Sequence, residues 1–280
     1  MTAPTPANPI VLYDIATRPP AAKTCCSPNP WKARFALNFK AVPFTTTWVQ
    51  MPDITKVRSG LNIPPVRKFA DGTDFYTLPI IQDPTTGALV GDSFDIAIYL
   101  QKTYPDAGAG DLFPALDALG DWVLAKEHSI LVPLTEARGD GLWPDYAQFN
   151  VNVDAAFTLH VGLTVQGFPF DPATAEASKA EFVRRAGVAR FEDFELKGEA
   201  REKVKESFKE MLGGLAVLYK RDPSGPFLLG QRASYADMII GAWWRMFYGT
   251  LEAKEFDEIT GWHDGVFRQL HDALEAFAKA

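Results

Sequence analysis

A chain of 280 residues, 47% of them hydrophobic, is long enough for one large or two modest domains with sizeable cores. A formal net charge of -7 excludes a diffuse cationic surface, so nucleic acid is not an expected partner, while a local basic site for a small anion stays open. Two cysteines, adjacent at 25 and 26, make no disulfide framework and fit a reducing compartment. The start, MTAPTPANP, lacks the basic and apolar regions of a secretion signal, and the most apolar run, MIIGAWWRMFYG at 238–249, is short and contains Arg245. A cytoplasmic protein with no membrane segment is expected.

IVLYDI at 10–15 is a β-branched and aromatic run that predicts a buried strand. From Ser27 the period changes: Trp31, Phe35 and Phe39 share a helical face, with Lys32, Arg34 and Lys40 expected to reach solvent. Pro28 and Pro30 are tolerable in the first turn of that helix. FTTTWVQ at 44–50 predicts a second strand, followed by an irregular stretch with at most a short helix. DFYTLPIIQDPTTGALVGDS then predicts a hairpin, and Ser93 can open a helix whose Ile96, Leu100 and Tyr104 share a face. The result is a small α/β domain over residues 1–105 with a flexible N-terminus.

PDAGAGDLFP at 105–114 reads as a linker, and helical periodicity dominates residues 106–280. Leu116, Leu119 and Val123 precede an expected interruption at Pro133. Val204, Phe208, Met211, Leu215 and Leu218 mark the clearest helix, and Val266, Leu270, Leu274 and Phe277 the last. SYAD at 234–237 is a capping signature before an apolar run. Residues 139–175 predict a long loop or a shortened helix.

Three short stretches carry the chemistry. Ser27 is either a helix cap or a hydroxyl that donates to a bound thiolate; a thiol of pKa ~8.5 is mostly protonated at neutral pH, and both a hydroxyl donor and a helix N-terminus favour its ionised form. In YTLPII at 76–81, Pro79 either ends a turn or, if cis, presents the backbone of Leu78 to an extended ligand. In GDSFDIAIYL, Asp92 and Ser93 either cap a helix or grip an amino acid's charged ends. Cys25 and Cys26 are small buried hydrophobes or, as the alternative, include one reactive thiol; neither belongs to a C-x-x-C pair. His128, His160, His263 and His271 show neither a catalytic-triad order nor metal-ligand spacing, and no phosphate-binding glycine motif is present.

The order of these stretches resembles the glutathione transferases, which have a thioredoxin-like α/β domain followed by an all-α domain. SPNPWKARFALNFKAVPF with DSFDIAIYLQKTYPD is similar, more narrowly, to the fungal-specific class A enzymes, relatives of bacterial β-etherases, and FLLGQRASYADMIIGAW looks like the family's folding segment. The resemblance implies a homodimer that binds glutathione, with Ser27 activating its sulfur, Leu78 before cis-Pro79 pairing with its backbone, and Asp92 with Ser93 holding its γ-glutamyl end. Trp31 is expected to frame the pocket or to belong to the core, and Arg67 or Lys68, with Lys56 as a further choice, is expected to meet the glycine carboxylate. Hydrophobic aromatic electrophiles or plant polyphenols are the implied second ligands; Trp122, Tyr146, Phe149 and Phe157 either contribute to the wall of their pocket or fill the helical core. A cysteine-type deglutathionylating enzyme working through Cys26 and a non-catalytic aromatic carrier are the alternatives.

Overall fold

The computed structural model describes residues 8–69, 71–124, 136 and 140–280; the expected Pro133 interruption and His128 lie outside them. Strand β1 (Ile10–Ile15) turns Ile10, Leu12 and Asp14 to the core in strict alternation. After a four-residue helix, α1 (Ala21–Thr24), the Trp31 periodicity becomes α2 (Pro28–Phe39), and β2 (Phe44–Val49) returns parallel to β1 with Ile10 opposite Phe44 and Ile15 opposite Val49. Helix α3 (Ile54–Gly60) supplies the one short helix of the irregular stretch.

The predicted hairpin forms with a difference. β5 (Ile80–Asp83) and β6 (Ala88–Val90) pair antiparallel and complete a sheet of order β2-β1-β5-β6. The residues before Pro79 do not extend β5: β4 (Asp74–Phe75) pairs with β3 (Arg67–Lys68) as a separate two-stranded sheet. The sheet ladder to β1 begins at Ile80, opposite Tyr13, so Leu78 stays outside it. Helix α4 (Ser93–Thr103) packs on α2, which makes this part thioredoxin-like.

Beyond α4 the named elements are helical. Residues 139–175 contain a full helix, α5 (Pro144–Leu159), rather than a long loop. It is followed by α6 (Ala175–Ala186), α7 (Gly198–Tyr219), α8 (Tyr235–Thr250), α9 (Ala253–Thr260) and α10 (Val266–Leu274). The Phe208, Leu215, Leu218 stripe of α7 and the Leu270, Leu274 stripe of α10 are buried as their spacing predicts. No helix among the described residues is long and apolar enough to cross a membrane.

One expectation about α2 is overturned. Lys32, Arg34 and Lys40 do not reach solvent; all three are fully buried, because α2 lies between the sheet, α4 and α8 and has no solvent face. Each cation has a specific partner. Lys32 Nζ meets Asp154 of α5 at 2.5 Å and Asn150 at 2.8 Å, and Arg34 meets Asp14 of β1 at 2.7 Å. Lys40 Nζ donates to the carbonyls of Pro105 and Gly110, lacing the linker to the end of α2. There Gly108 is required: it has φ +62°, and a Cβ would stand 2.0 Å from the Phe39 carbonyl oxygen.

Candidate active site

Ser27 occupies the N-cap position of α2 with extended backbone, yet its side chain makes no capping hydrogen bond. The sequence explains why. Pro28 and Pro30 have no N–H, and the Trp31 N–H bonds to the Ser27 carbonyl at 3.2 Å, which leaves Asn29 as the donor of the first turn. Capping is therefore not what the Ser27 hydroxyl does. The same two prolines also thin out the helix-terminal donors expected to favour an anion there, which leaves the Ser27 hydroxyl and the Asn29 N–H as the donors of that first turn.

Two cavities meet at this serine. The first, of about 190 Å³, is bordered by Ser27, Asn29, Arg67, Thr77, Leu78 and Asp154. The second, of about 240 Å³, is bordered chiefly by Met51, Val165, Phe168, Phe182, Phe194 and Met246. Ser27, Phe75, Thr158, Arg185 and Trp243 line both. The more polar compartment thus opens into an apolar one past the hydroxyls of Ser27 and Thr158, of which Ser27 stands at a helix start, an arrangement suited to a polar thiol and a hydrophobic reactant.

The first cavity has a charged, hydrogen-bonded residue in its lining, Asp154. Asp154 Oδ1 accepts from Lys32 Nζ and from Trp243 Nε1 at 2.8 Å, which joins α2, α5 and α8 beneath the cavity. Burial pulls the Lys32 pKa down and Asp154 pushes it back up. Asp92 and Arg67 are both close enough to act on the Lys32 charge.

The predicted binding residues fare unequally. The Leu78–Pro79 peptide is cis, and Leu78 lines the first cavity. Arg67 lines it too, with its guanidinium 5.3 Å from the Phe75 ring centre. Lys68 does not: it points to solvent and pairs with Asp74 at 2.8 Å, and Lys56 is exposed on α3. Asp92 and Ser93 border neither cavity. Asp92 caps α4 by accepting the Phe94 N–H at 2.8 Å, and the Ser93 carbonyl accepts from Tyr235 Oη at 2.9 Å. Trp31 also borders neither; it is core, and its Nε1 donates to the Cys25 carbonyl at 2.8 Å, fixing the turn that presents Ser27.

Of the two readings of the α5 aromatics, pocket wall or core, the structure shows the core. Tyr146, Phe149 and Phe157 are buried in the helical core, since α5 turns them toward other helices, and Trp122 borders a separate cavity beside α7. Phe168, Phe182 and Phe194 take that place, brought in by α6 and the turns around it. Arg185 of α6 is the functional candidate that sequence reasoning missed. Its only local signal is FVRRAG, a basic helix end closed by Gly187 at φ +67°, which predicts a C-terminus and says nothing about a distant cavity.

Both cysteines are free thiols and buried. Cys25 is buried and its thiol is pushed up to about 12, first by burial and then by Asp14. Cys26 is completely buried in a cluster with Val49, Met51, Ile54 and Leu78, and burial pushes its thiol higher still. Gly249 of α8 permits this: a Cβ there would lie 2.8 Å from the Cys26 Cβ. Among the described residues no group of metal-ligating side chains assembles.

Comparison with known proteins places this architecture. The glutathione S-transferase N-terminal domain model matches residues 26–103 and the C-terminal domain model matches residues 170–277. The chain belongs to the glutathione-transferase superfamily and carries both of its domains. It is 29% identical over 275 residues to the glutathione S-transferase-like protein ustS of Aspergillus flavus, covering 95% of this chain and 90% of that one. Among solved structures it is similar to glutathione transferase GSTFuA2 of Phanerochaete chrysosporium, at 27% identity and TM-score 0.76 over 98% of this chain and 100% of that one. It is also similar to glutathione S-transferase CsGST63524 of Ceriporiopsis subvermispora, solved in complex with glutathione, at 28% identity and TM-score 0.73 over 96% and 98% of the two chains.

Proposed function

We propose that this protein is a serine-type glutathione transferase in which Ser27 activates the tripeptide's thiol for attack on hydrophobic, aromatic electrophiles. The observation that carries this is the uncommitted Ser27 hydroxyl where a polar and an apolar cavity join. Glutathione lies in the first cavity, its cysteine backbone pairing with Leu78 ahead of cis-Pro79 and its γ-glutamyl end directed toward the start of α4, where Asp92 and Ser93 stand. The thiol proton leaves to solvent, and the sulfur anion accepts a hydrogen bond from Ser27. It then bonds to the electrophilic carbon of a ligand in the second cavity, as a leaving group departs or a conjugated system takes up the electron pair. The glutathione complex of the Ceriporiopsis relative supports the choice of thiol. The fungal-specific class A affinity, the homodimer and the use of polyphenols belong to the same proposal.

The test is the ultraviolet thiolate absorbance of bound glutathione across pH for the wild type, Ser27→Ala and Cys26→Ala. A lowered thiol pKa that is lost with Ser27 and kept without Cys26 is expected. A wild-type signal that survives Ser27→Ala unchanged would falsify the serine assignment.

A further inference from the structure

Among the described residues, Arg185 is the only charged side chain that borders both cavities. Its Nε is held by Glu181 at 2.8 Å and its Nη1 donates to the Tyr76 carbonyl at 3.1 Å, but its Nη2 is buried with no hydrogen-bond partner among the described residues. A buried guanidinium nitrogen without an acceptor is costly and uncommon, and a ligand anion is one way to satisfy it. Glu181 supplies little more, because it is shared between Arg184 and Arg185.

The position of Arg185 indicates which anion. Its guanidinium stands 4.9 Å from the Phe75 ring centre, and that of Arg67 stands 5.3 Å from the same ring, so a helical-domain arginine and a thioredoxin-domain arginine converge on one residue of the cavity wall. Arg67 is close enough to act on Arg185 as a like charge, and a carboxylate between them relieves that repulsion. A tripeptide whose cysteine lies between Ser27 and Leu78 sends one end back along Thr77 toward Phe75 and the other toward α4. The two arginines stand at Phe75, the residue next but one to Thr77 in that lining.

Resting on the glutathione reading above, we propose that Arg185 binds the glycine carboxylate of glutathione jointly with Arg67, and that this contact seats α6 against the apolar cavity. α6 also carries Phe182 and Ala186 of the apolar wall. Bound glutathione thereby steadies the α6 wall of the electrophile site. Arg185 is in this sense a binding residue with a positioning consequence, and glutathione is read by both domains of one chain.

The experiment is calorimetric titration of wild type, Arg185→Gln and Arg185→Lys with glutathione and with its glycine monoethyl ester, alongside hydrogen exchange of residues 175–186. Arg185→Gln is expected to weaken glutathione about tenfold or more, the scale of one charge-assisted hydrogen bond, while the ester binds wild type and variant alike. Glutathione slows exchange across α6 in the wild type and not in Arg185→Gln. Arg185→Lys keeps the cation, regains part of the affinity for the acid form only, and serves if the glutamine variant does not fold. An equal loss for acid and ester overturns the proposal, as does unchanged glutathione affinity with a raised KM for the electrophile. A wild type that binds no glutathione overturns the functional reading itself; a wild type that binds acid and ester equally well, or an Arg185→Gln variant that keeps the full acid-versus-ester difference, overturns only the role of Arg185.

Discussion

Ser27 and Cys26 are neighbours in sequence with opposite fates, and the difference is a matter of environment. Ser27 is half-buried at the junction of two cavities, whereas Cys26 is sealed beneath α8. Replacing Ser27 by Ala removes one hydrogen bond to the developing thiolate, and kcat/KM for conjugation of a chlorinated nitrobenzene is expected to fall about a hundredfold, the usual cost of such a donor. A steady-state rate within twofold of wild type would remove the residue from the mechanism. Cys26→Ala deletes a buried sulfur from an apolar cluster, which is expected to cost about 1–2 kcal/mol in urea unfolding and to leave the specific activity intact. Cys25 has its thiol pushed up to about 12, so its ionised form is scarce at neutral pH, and native protein should resist iodoacetamide until it unfolds. Rapid labelling of Cys25 in the folded state is the contrary result.

At the scale of an element, α8 shows how one cap ties a helix to its surroundings. Asp237 accepts from the Ser234 N–H and Oγ, both at 2.8 Å, and from the Leu228 N–H at 2.9 Å, so the SYAD signature is satisfied and extended to the preceding loop. Burial raises the Asp237 pKa to about 6, with these hydrogen bonds opposing it. A carboxyl whose folded pKa lies above its unfolded value of 3.8 binds a proton more tightly in the fold; the stability this gives is full below the unfolded pKa and is lost as pH rises through the folded one. The stability of wild type relative to Asp237→Asn should therefore fall by about 2 kcal/mol between pH 4 and pH 7 in denaturant titrations. A difference that is flat across that range contradicts the argument. The same element-level logic explains α2: its stripe of Trp31, Phe35 and Phe39 was legible, but its cations were misplaced because an amphipathic pattern assumes a solvent face that this central helix lacks.

For the whole molecule, the decisive contact is the buried pair of Lys32 on α2 and Asp154 on α5, which joins the two domains directly under the first cavity. Removing one partner leaves the other charged and buried, so Lys32→Met is expected to destabilise the protein by about 3–5 kcal/mol, while Lys32→Met with Asp154→Leu recovers most of the loss. Chemical denaturation of the single and double variants checks this, and additivity of the two substitutions would show that the pair is not coupled. The Trp243 N–H on Asp154 makes the same pair sensitive to α8, so the cavity floor responds to three helices at once.

Local pattern was enough for β1, α2, β2, the β5–β6 hairpin, α4 and the SYAD cap, because each is dictated by side-chain period, proline placement or a capping spacing within a few residues. The motif order around Ser27, Leu78, Pro79 and Asp92 pointed to the family for the same reason. The tertiary structure decided which of these residues share a cavity. Arg67 reaches it and Lys68 does not, since neighbouring residues of a strand point to opposite faces. Phe182 and Arg185 come from a helix whose sequence has little buried surface and no site-like motif, and they enter only because α6 folds back over Phe75. Tyr146, Phe149 and Phe157 were drawn away from the cavity by the opposite cause: aromatic side chains on a helix go where the most apolar neighbours are, and here those neighbours were the other helices.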